Sequence, residues 1–145
     1  MRLGATRQIA QPAPTVFEFV AEVTNNPVWQ KGMKRCEWIT GGPIALGSRY
    51  RQEASFLGRS IISVFEVIEF EAGSQVVIDT IESTFPILVE RRVEAVDETS
   101  CRVVATIDGG PSVPGFLQGV MGRMAQRSVN RDYDRLVEIL EDLSG

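Results

Sequence analysis

Apolar and polar positions alternate along most of this chain, and the period changes sharply near its end. Residues 2–10 alternate weakly and read as an opening strand. After Gln11-Pro-Ala-Pro14, the spacing of Val16, Phe17, Val20 and Val23 predicts a short helix, with Pro14 in its first turn. Asn25-Asn26-Pro27 ends that helix and can cap a second turn carrying Val28 and Trp29. Six two-period runs follow: Lys34 to Thr40, Ser48 to Phe56, Ser60 to Phe70, Val76 to Ser83, Ile87 to Val96 and Arg102 to Asp108. Glycine-, serine- and aspartate-rich turns separate them, which predicts an antiparallel meander. From about Val113 to Leu143 the period becomes helical, with Leu117, Met121, Ala125, Val129, Leu136, Leu140 and Leu143 in the stripe. At about 1.5 Å per residue such a helix can lie across a whole small sheet.

Strand parity sorts the side chains into two faces. Ile87, Val89, Arg91, Val93 and Ala95 share one face of their run, and Leu88, Glu90, Arg92, Glu94 and Val96 share the solvent-facing one. Tyr50 and Gln52 likewise fall with Ala54 and Phe56, leaving Arg49, Arg51 and Glu53 outward. On the last helix, Ser128 and Asp132 interrupt the apolar stripe at the angular position of Met121 and Leu136. The expected inward polar set is therefore Tyr50, Gln52, Arg91, Ser128 and Asp132. A buried guanidinium is costly without a partner, and Asp132 is a candidate for that role. Two readings stay open: the set is structural, with Arg91 snorkelling to the sheet edge and Asp132 displaced to the helix flank, or it orients a ligand oxygen. Asp79 shares parity with Val77 and Ile81 and is expected to face solvent.

Composition narrows the chemistry. The 145 residues are 43% hydrophobic and 23% charged, which suits one soluble globular domain spanning 1–145. The formal charge of −4 argues against nucleic acid as the main partner. With no histidine, the commonest general base and metal ligand is missing, and no metal or cofactor is expected. Cys36 and Cys101 fit no zinc spacing and read as buried free thiols. No stretch is long and apolar enough to span a bilayer, and the N-terminus lacks a signal core, so a cytoplasmic location is the expectation. Gly42 and Gly47 have the spacing of a phosphate loop, but Ser48-Arg49 follows where Lys and Ser or Thr should stand, so a turn with positive φ is the better reading. Arg123, Arg127, Arg131 and Arg135 form a ladder at four-residue steps, compensated by Asp134 and Glu138 or else presented to anionic lipid or an acidic partner.

The order strand, two short helices, six strands and a long helix resembles the helix-grip fold of the START-like (birch-pollen-allergen-like, SRPBCC) superfamily, of the polyketide cyclase/dehydrase and lipid-transport type. The likeness rests on Ala13-Pro14-Thr-Val-Phe-Glu-Phe-Val-Ala-Glu-Val23, on Pro27-Val-Trp29, on Gly42-Pro43 with Gly47-Ser-Arg-Tyr-Arg51, on Val64-Phe-Glu-Val-Ile-Glu-Phe70 and on the closing helix. The resemblance implies an α+β helix-grip fold, with a curved antiparallel sheet of about seven strands wrapped on the long C-terminal helix. It also implies an apolar cavity between sheet and helix, and it sets the Gly42–Gly47 loop near the cavity mouth.

The expected function is binding or transport of a small hydrophobic ligand, such as a lipid or polyketide. The expected lining is Tyr50, Gln52, Phe56, Val89, Arg91, Val93, Met121, Met124, Ala125, Ser128 and Asp132. One alternative is a cyclase- or dehydratase-like enzyme using Arg91, Tyr50 and Asp132. In that case Asp132 needs a raised pKa, which a neighbouring Arg91 would oppose. A second alternative is an interaction domain with a vestigial cavity. A homodimer is compatible with all three readings.

Overall fold

The computed structural model describes residues 1–56 and 58–143. Seven antiparallel strands form one curled sheet in the order β1-β7-β6-β5-β4-β3-β2. The strands are β1 (Arg2–Ile9), β2 (Met33–Trp38), β3 (Arg49–Phe56), β4 (Arg59–Glu71), β5 (Gln75–Glu82), β6 (Ile87–Asp97) and β7 (Ser100–Gly109). Between β1 and β2 lie α1 (Ala13–Ala21), a 3-10 turn at Val23–Asn25, and α2 (Asn26–Trp29). The chain closes with α3 (Gly115–Asp142). The architecture is the helix-grip α+β arrangement that the resemblance implies.

The alternation of burial is clearest on β4, β6 and β7, while β5 buries Val76, Val77 and Ile78 in succession. On β6, Val89, Arg91 and Val93 are buried while Leu88, Arg92 and Glu94 are exposed. The outer face carries Asp79, which pairs in register with exposed Leu88. Register shifts interrupt the β4–β5 ladder at Val64/Phe65 and Val67/Glu69, and the β2–β3 ladder at Met33/Arg35. Such bulges bend a strand and steepen its twist, which lets the long β4 curl around the inner face.

Only one part of α3 is anchored. Tyr133, Leu136 and Leu140 are its buried residues, spaced to share one face, and they enter the core with Ile9, Val16, Val20, Trp29 and Val103. The exposed backbone of edge strand β1 is covered by α3 side chains. Gln126 accepts from the Gly4 N–H (3.2 Å) and donates to the Gly4 carbonyl (2.7 Å). Glu141 accepts from the Ala10 N–H (2.9 Å), and Arg7 Nε donates to Asp134 Oδ1 (2.8 Å). Unpaired strand edges invite foreign pairing, so this cover also protects the sheet. Asp134 is thus engaged by Arg7 rather than by the arginine ladder of its own helix.

The first turns of α3 are different. None of the residues from Gly115 to Ala125 is buried, and Phe116, Leu117, Val120 and Met124 are exposed. The chain enters this segment through Gly109 and Gly110, both at positive φ (132° and 110°). At Gly109 an added Cβ would stand 2.1 Å from the Pro86 carbonyl oxygen, so only glycine fits the exit from β7.

Candidate functional site

A hollow of about 200 Å³ opens between the inner face of the sheet and α3. A second, of about 370 Å³, adjoins it along the helix. The two share a wall of Leu3, Ser55, Phe56, Ile107, Ala125 and Ser128. The strands place these side chains by parity, since Phe56 and Ile107 end the inner rows of β3 and β7. Apolar carbon dominates the surface, and Phe56 and Phe85 meet edge-on at 6.2 Å. A small polar end is built from Gln30, Gln52, Ser63, Ser128 and Asp132. The side-chain nitrogen of Gln30 is enclosed and has no hydrogen-bond partner among the described residues. A buried unpaired amide donor is costly.

The residues named from the sequence divide between this hollow and the core behind it. Gln52, Phe56, Met121, Met124, Ala125, Ser128 and Asp132 line one or both hollows. Tyr50, Val89, Arg91 and Val93 are buried in the two core clusters or beside them, away from the lining of either hollow. Tyr50 stacks on Phe65 at 5.2 Å and meets Trp38 edge-on at 5.7 Å. Burial pushes its phenol far above the usual tyrosine range, against a smaller opposite pull from Arg91. Burial thus favours the neutral phenol.

Arg91 and Asp132 do not pair. Arg91 is 7% exposed, and its Nε donates to Tyr133 Oη at 2.9 Å. Its guanidinium carbon lies 5.4 Å from the centroid of the Trp29 ring, and Trp29 packs edge-on against Tyr133 at 4.9 Å. The charge is thus held by a phenol and an aromatic face instead of a carboxylate. Sequence reasoning missed Tyr133, although it lies three and seven residues before Leu136 and Leu140 on the buried face. Cys36 sits in the same region and accepts from Asn26 Nδ2 at 3.8 Å. Burial pushes its thiol up to about 11, so it remains a neutral thiol of low reactivity. Cys101 is also free and buried.

Asp132 is instead tied to the helix α2 corner. Its Oδ1 accepts from the Lys31 N–H (3.2 Å) and lies 3.6 Å from Arg135 Nη1. Partial burial raises the carboxyl pKa above its usual value, and the Lys31 hydrogen bond and the nearby arginines offset only part of that. The conflict expected from a neighbouring Arg91 is therefore absent. The rest of the ladder splits: Arg123, Arg127 and Arg131 are exposed, while Arg135 donates to the Trp29 carbonyl at 3.1 Å.

The glycine loop lies elsewhere. Gly42 and Gly47 do adopt positive φ (79° and 88°), between β2 and β3. However, Gly42, Pro43 and Ile44 border a separate cleft of about 530 Å³ against α1, beside Phe17, Glu22 and Trp38. That corrects its expected place at the mouth of the sheet–helix cavity. The reason is topological: β2 is the edge strand next to the α1–α2 segment, so its exit loop turns toward α1.

Among the described residues, no group of His, Cys, Asp or Glu side chains is placed to hold a metal ion. None of their helices is long and apolar enough to cross a membrane.

Comparison with known proteins gives the architecture relatives. No curated protein matches the chain in sequence. The protein TTHA0849 from Thermus thermophilus superposes with a TM-score of 0.84 at 19% identity, over 100% of both chains. A START superfamily protein from Mycobacterium smegmatis superposes with a TM-score of 0.78 at 16% identity, over 96% of this chain and 98% of that one. The ZhuI aromatase/cyclase from Streptomyces sp. R1128 gives 0.73 at 15% identity, over 98% and 92%. At such identities these likenesses speak for the fold. Residues 2–145 match the family described as polyketide cyclase / dehydrase and lipid transport, and the chain belongs to that family of the START-like superfamily.

Proposed function

We propose that this protein binds a small, mostly apolar molecule in the hollow between its sheet and α3, with one oxygen-bearing end turned toward Gln30, Gln52 and Asp132. The observation that carries this reading is a mostly apolar wall that also includes a few polar side chains, Gln30, Gln52, Ser63, Ser128 and Asp132. Sites for small molecules commonly have that composition, apolar surface with a few polar groups that fix orientation. Met121 and Met124 on the helix side give a wall that can reshape around different ligands. The family includes cyclases and lipid carriers, and both handle molecules of this kind.

Ala125 touches both hollows, so a large side chain there should fill them. Titration with an anilinonaphthalene fluorophore is expected to show saturable binding that Ala125→Trp weakens at least tenfold, with helix content unchanged by circular dichroism. Equal binding by the two proteins would place the fluorophore elsewhere and defeat the assignment.

A cyclase- or dehydratase-like reading is favoured by one observation, the raised pKa of Asp132 in the lining. A carboxylate poised above its usual range is a better general base near neutrality. In that reading Asp132→Asn abolishes turnover of a bound polyketide-like substrate yet leaves fluorophore binding within about twofold. Turnover retained in that variant would remove Asp132 from any catalytic role.

A further inference from the structure

The free end of α3 carries a pattern that the hollows share only at Met124 and Arg131. Phe116, the most exposed large apolar side chain among the described residues at 79%, is followed at four-residue steps by Val120 and Met124. Between Gly115 and Arg131 the charged residues are Arg123, Arg127 and Arg131, with no acid among them, in a protein of net charge −4. All three arginines are exposed, and none joins an ion pair among the described residues. At about 100° per residue, the three apolar side chains and the three arginines fall within about a third of the helix circumference. They also follow one another along the axis. At about 1.5 Å per residue, Arg123 and Arg127 lie roughly 10 and 16 Å beyond Phe116.

The glycines of this segment add a second observation. Gly115 and Gly122 have nothing within 4 Å of an added Cβ, and Gly119 meets only the tip of the Arg123 side chain. Helix-interior glycine weakens a helix without any packing gain here. The segment is therefore unburied, apolar at its tip and purely cationic behind it.

We infer that residues 115–127 dock on an anionic lipid surface, with Phe116 and Val120 entering the acyl boundary and Arg123 and Arg127 meeting the phosphates. Interfacial helices bury their apolar side by about 5–10 Å, a depth that places the arginines at headgroup level when the tip enters first. Charge complementarity selects this occupant. A second copy of this acidic chain would have to offer a matching acidic apolar face, whereas an anionic bilayer supplies both features at once. The inference does not rest on the cavity being a ligand site.

Flotation of the full chain with vesicles tests it. Equimolar phosphatidylcholine and phosphatidylglycerol vesicles should bind the protein, and pure phosphatidylcholine should not. Arg123→Gln with Arg127→Gln should weaken binding roughly twentyfold, and raised salt should do the same to the native chain. Phe116→Ser with Val120→Ser should release the protein even at low salt, with its thermal midpoint unchanged. Absence of binding to the mixed vesicles overturns the inference. So does full binding by the Phe116 and Val120 variant, which would reduce the contact to surface charge. A native dimer in sedimentation equilibrium that this variant converts to monomer, without vesicle binding, would assign the face to a second copy instead. Vesicle binding is read with no cavity ligand added, so failure of the cavity reading leaves this result standing.

Discussion

Arg91→Ala is expected to lower the thermal midpoint by roughly 10 °C, whereas Arg91→Met leaves it within a few degrees of the native chain. The alanine variant strips the packing of a long side chain from the face of Trp29 and leaves Tyr133 Oη without its donor. An unpaired buried hydroxyl costs about 1–3 kcal/mol, and the void left behind adds to that. A total near 3 kcal/mol corresponds to roughly 4 °C per kcal/mol for a domain of this size. Methionine also leaves the Tyr133 hydroxyl without its donor, but it keeps most of the volume and removes the cost of a buried charge, which offsets that loss. Calorimetry of the two variants reads this directly. Equal, large losses in both would mean that the guanidinium charge itself holds the core together. Ligand binding adds a second comparison. Arg91 stands behind the lining, so Arg91→Met should retain the fluorophore; loss of binding with an intact fold would bring the guanidinium into the site.

The second large effect contrasts the two halves of one helix. Leu136→Ala should cost about 2–5 kcal/mol, because the side chain is fully buried against the core. Met124→Ala, twelve residues earlier on the same helix, should change stability by less than about 0.5 kcal/mol. Its side chain is 51% exposed and borders the open hollow. Denaturant unfolding of both variants would show the difference as a shift in midpoint at constant slope. A Met124→Ala loss comparable to that of Leu136→Ala would mean that the first turns of α3 are packed, and that the hollow beneath them is closed.

This contrast also marks where the sequence stops being legible. Strand limits were readable to within one or two residues because inner and outer positions alternate cleanly, as in Val89, Arg91 and Val93 against Leu88, Arg92 and Glu94. The helical stripe gave the direction of Met121, Ala125, Ser128 and Asp132 for the same reason, and all four border the hollows. Periodicity carries angle but not depth. It could not show that α3 is pinned to β1 from Gln126 onward and is unburied before it, because that depends on where the Gly4, Arg7 and Ala10 edge lies. The partner of Arg91 was hidden for a related reason. Tyr133 reads as one more core aromatic, and only the approach of α2 brings it, Trp29 and β6 together. Tyr50 and Val93 have inward parity but are buried in the core clusters, behind the lining of the hollows. Gln30 carried no signal at all, since it follows a four-residue helix in a turn.

The central claim is that the space between the sheet and the free half of α3 takes up an apolar molecule. Mass spectrometry tests it most directly, on the native chain and on Ala125→Trp. Each is incubated with a mixture of fatty acids and fused-ring aromatic polyketides, freed of unbound material, and measured intact and after denaturing extraction. The account predicts one retained molecule per native chain, drawn from the mixture or carried from expression, and little or none on Ala125→Trp. A native chain that retains nothing, or two proteins that retain the same species equally, would contradict it.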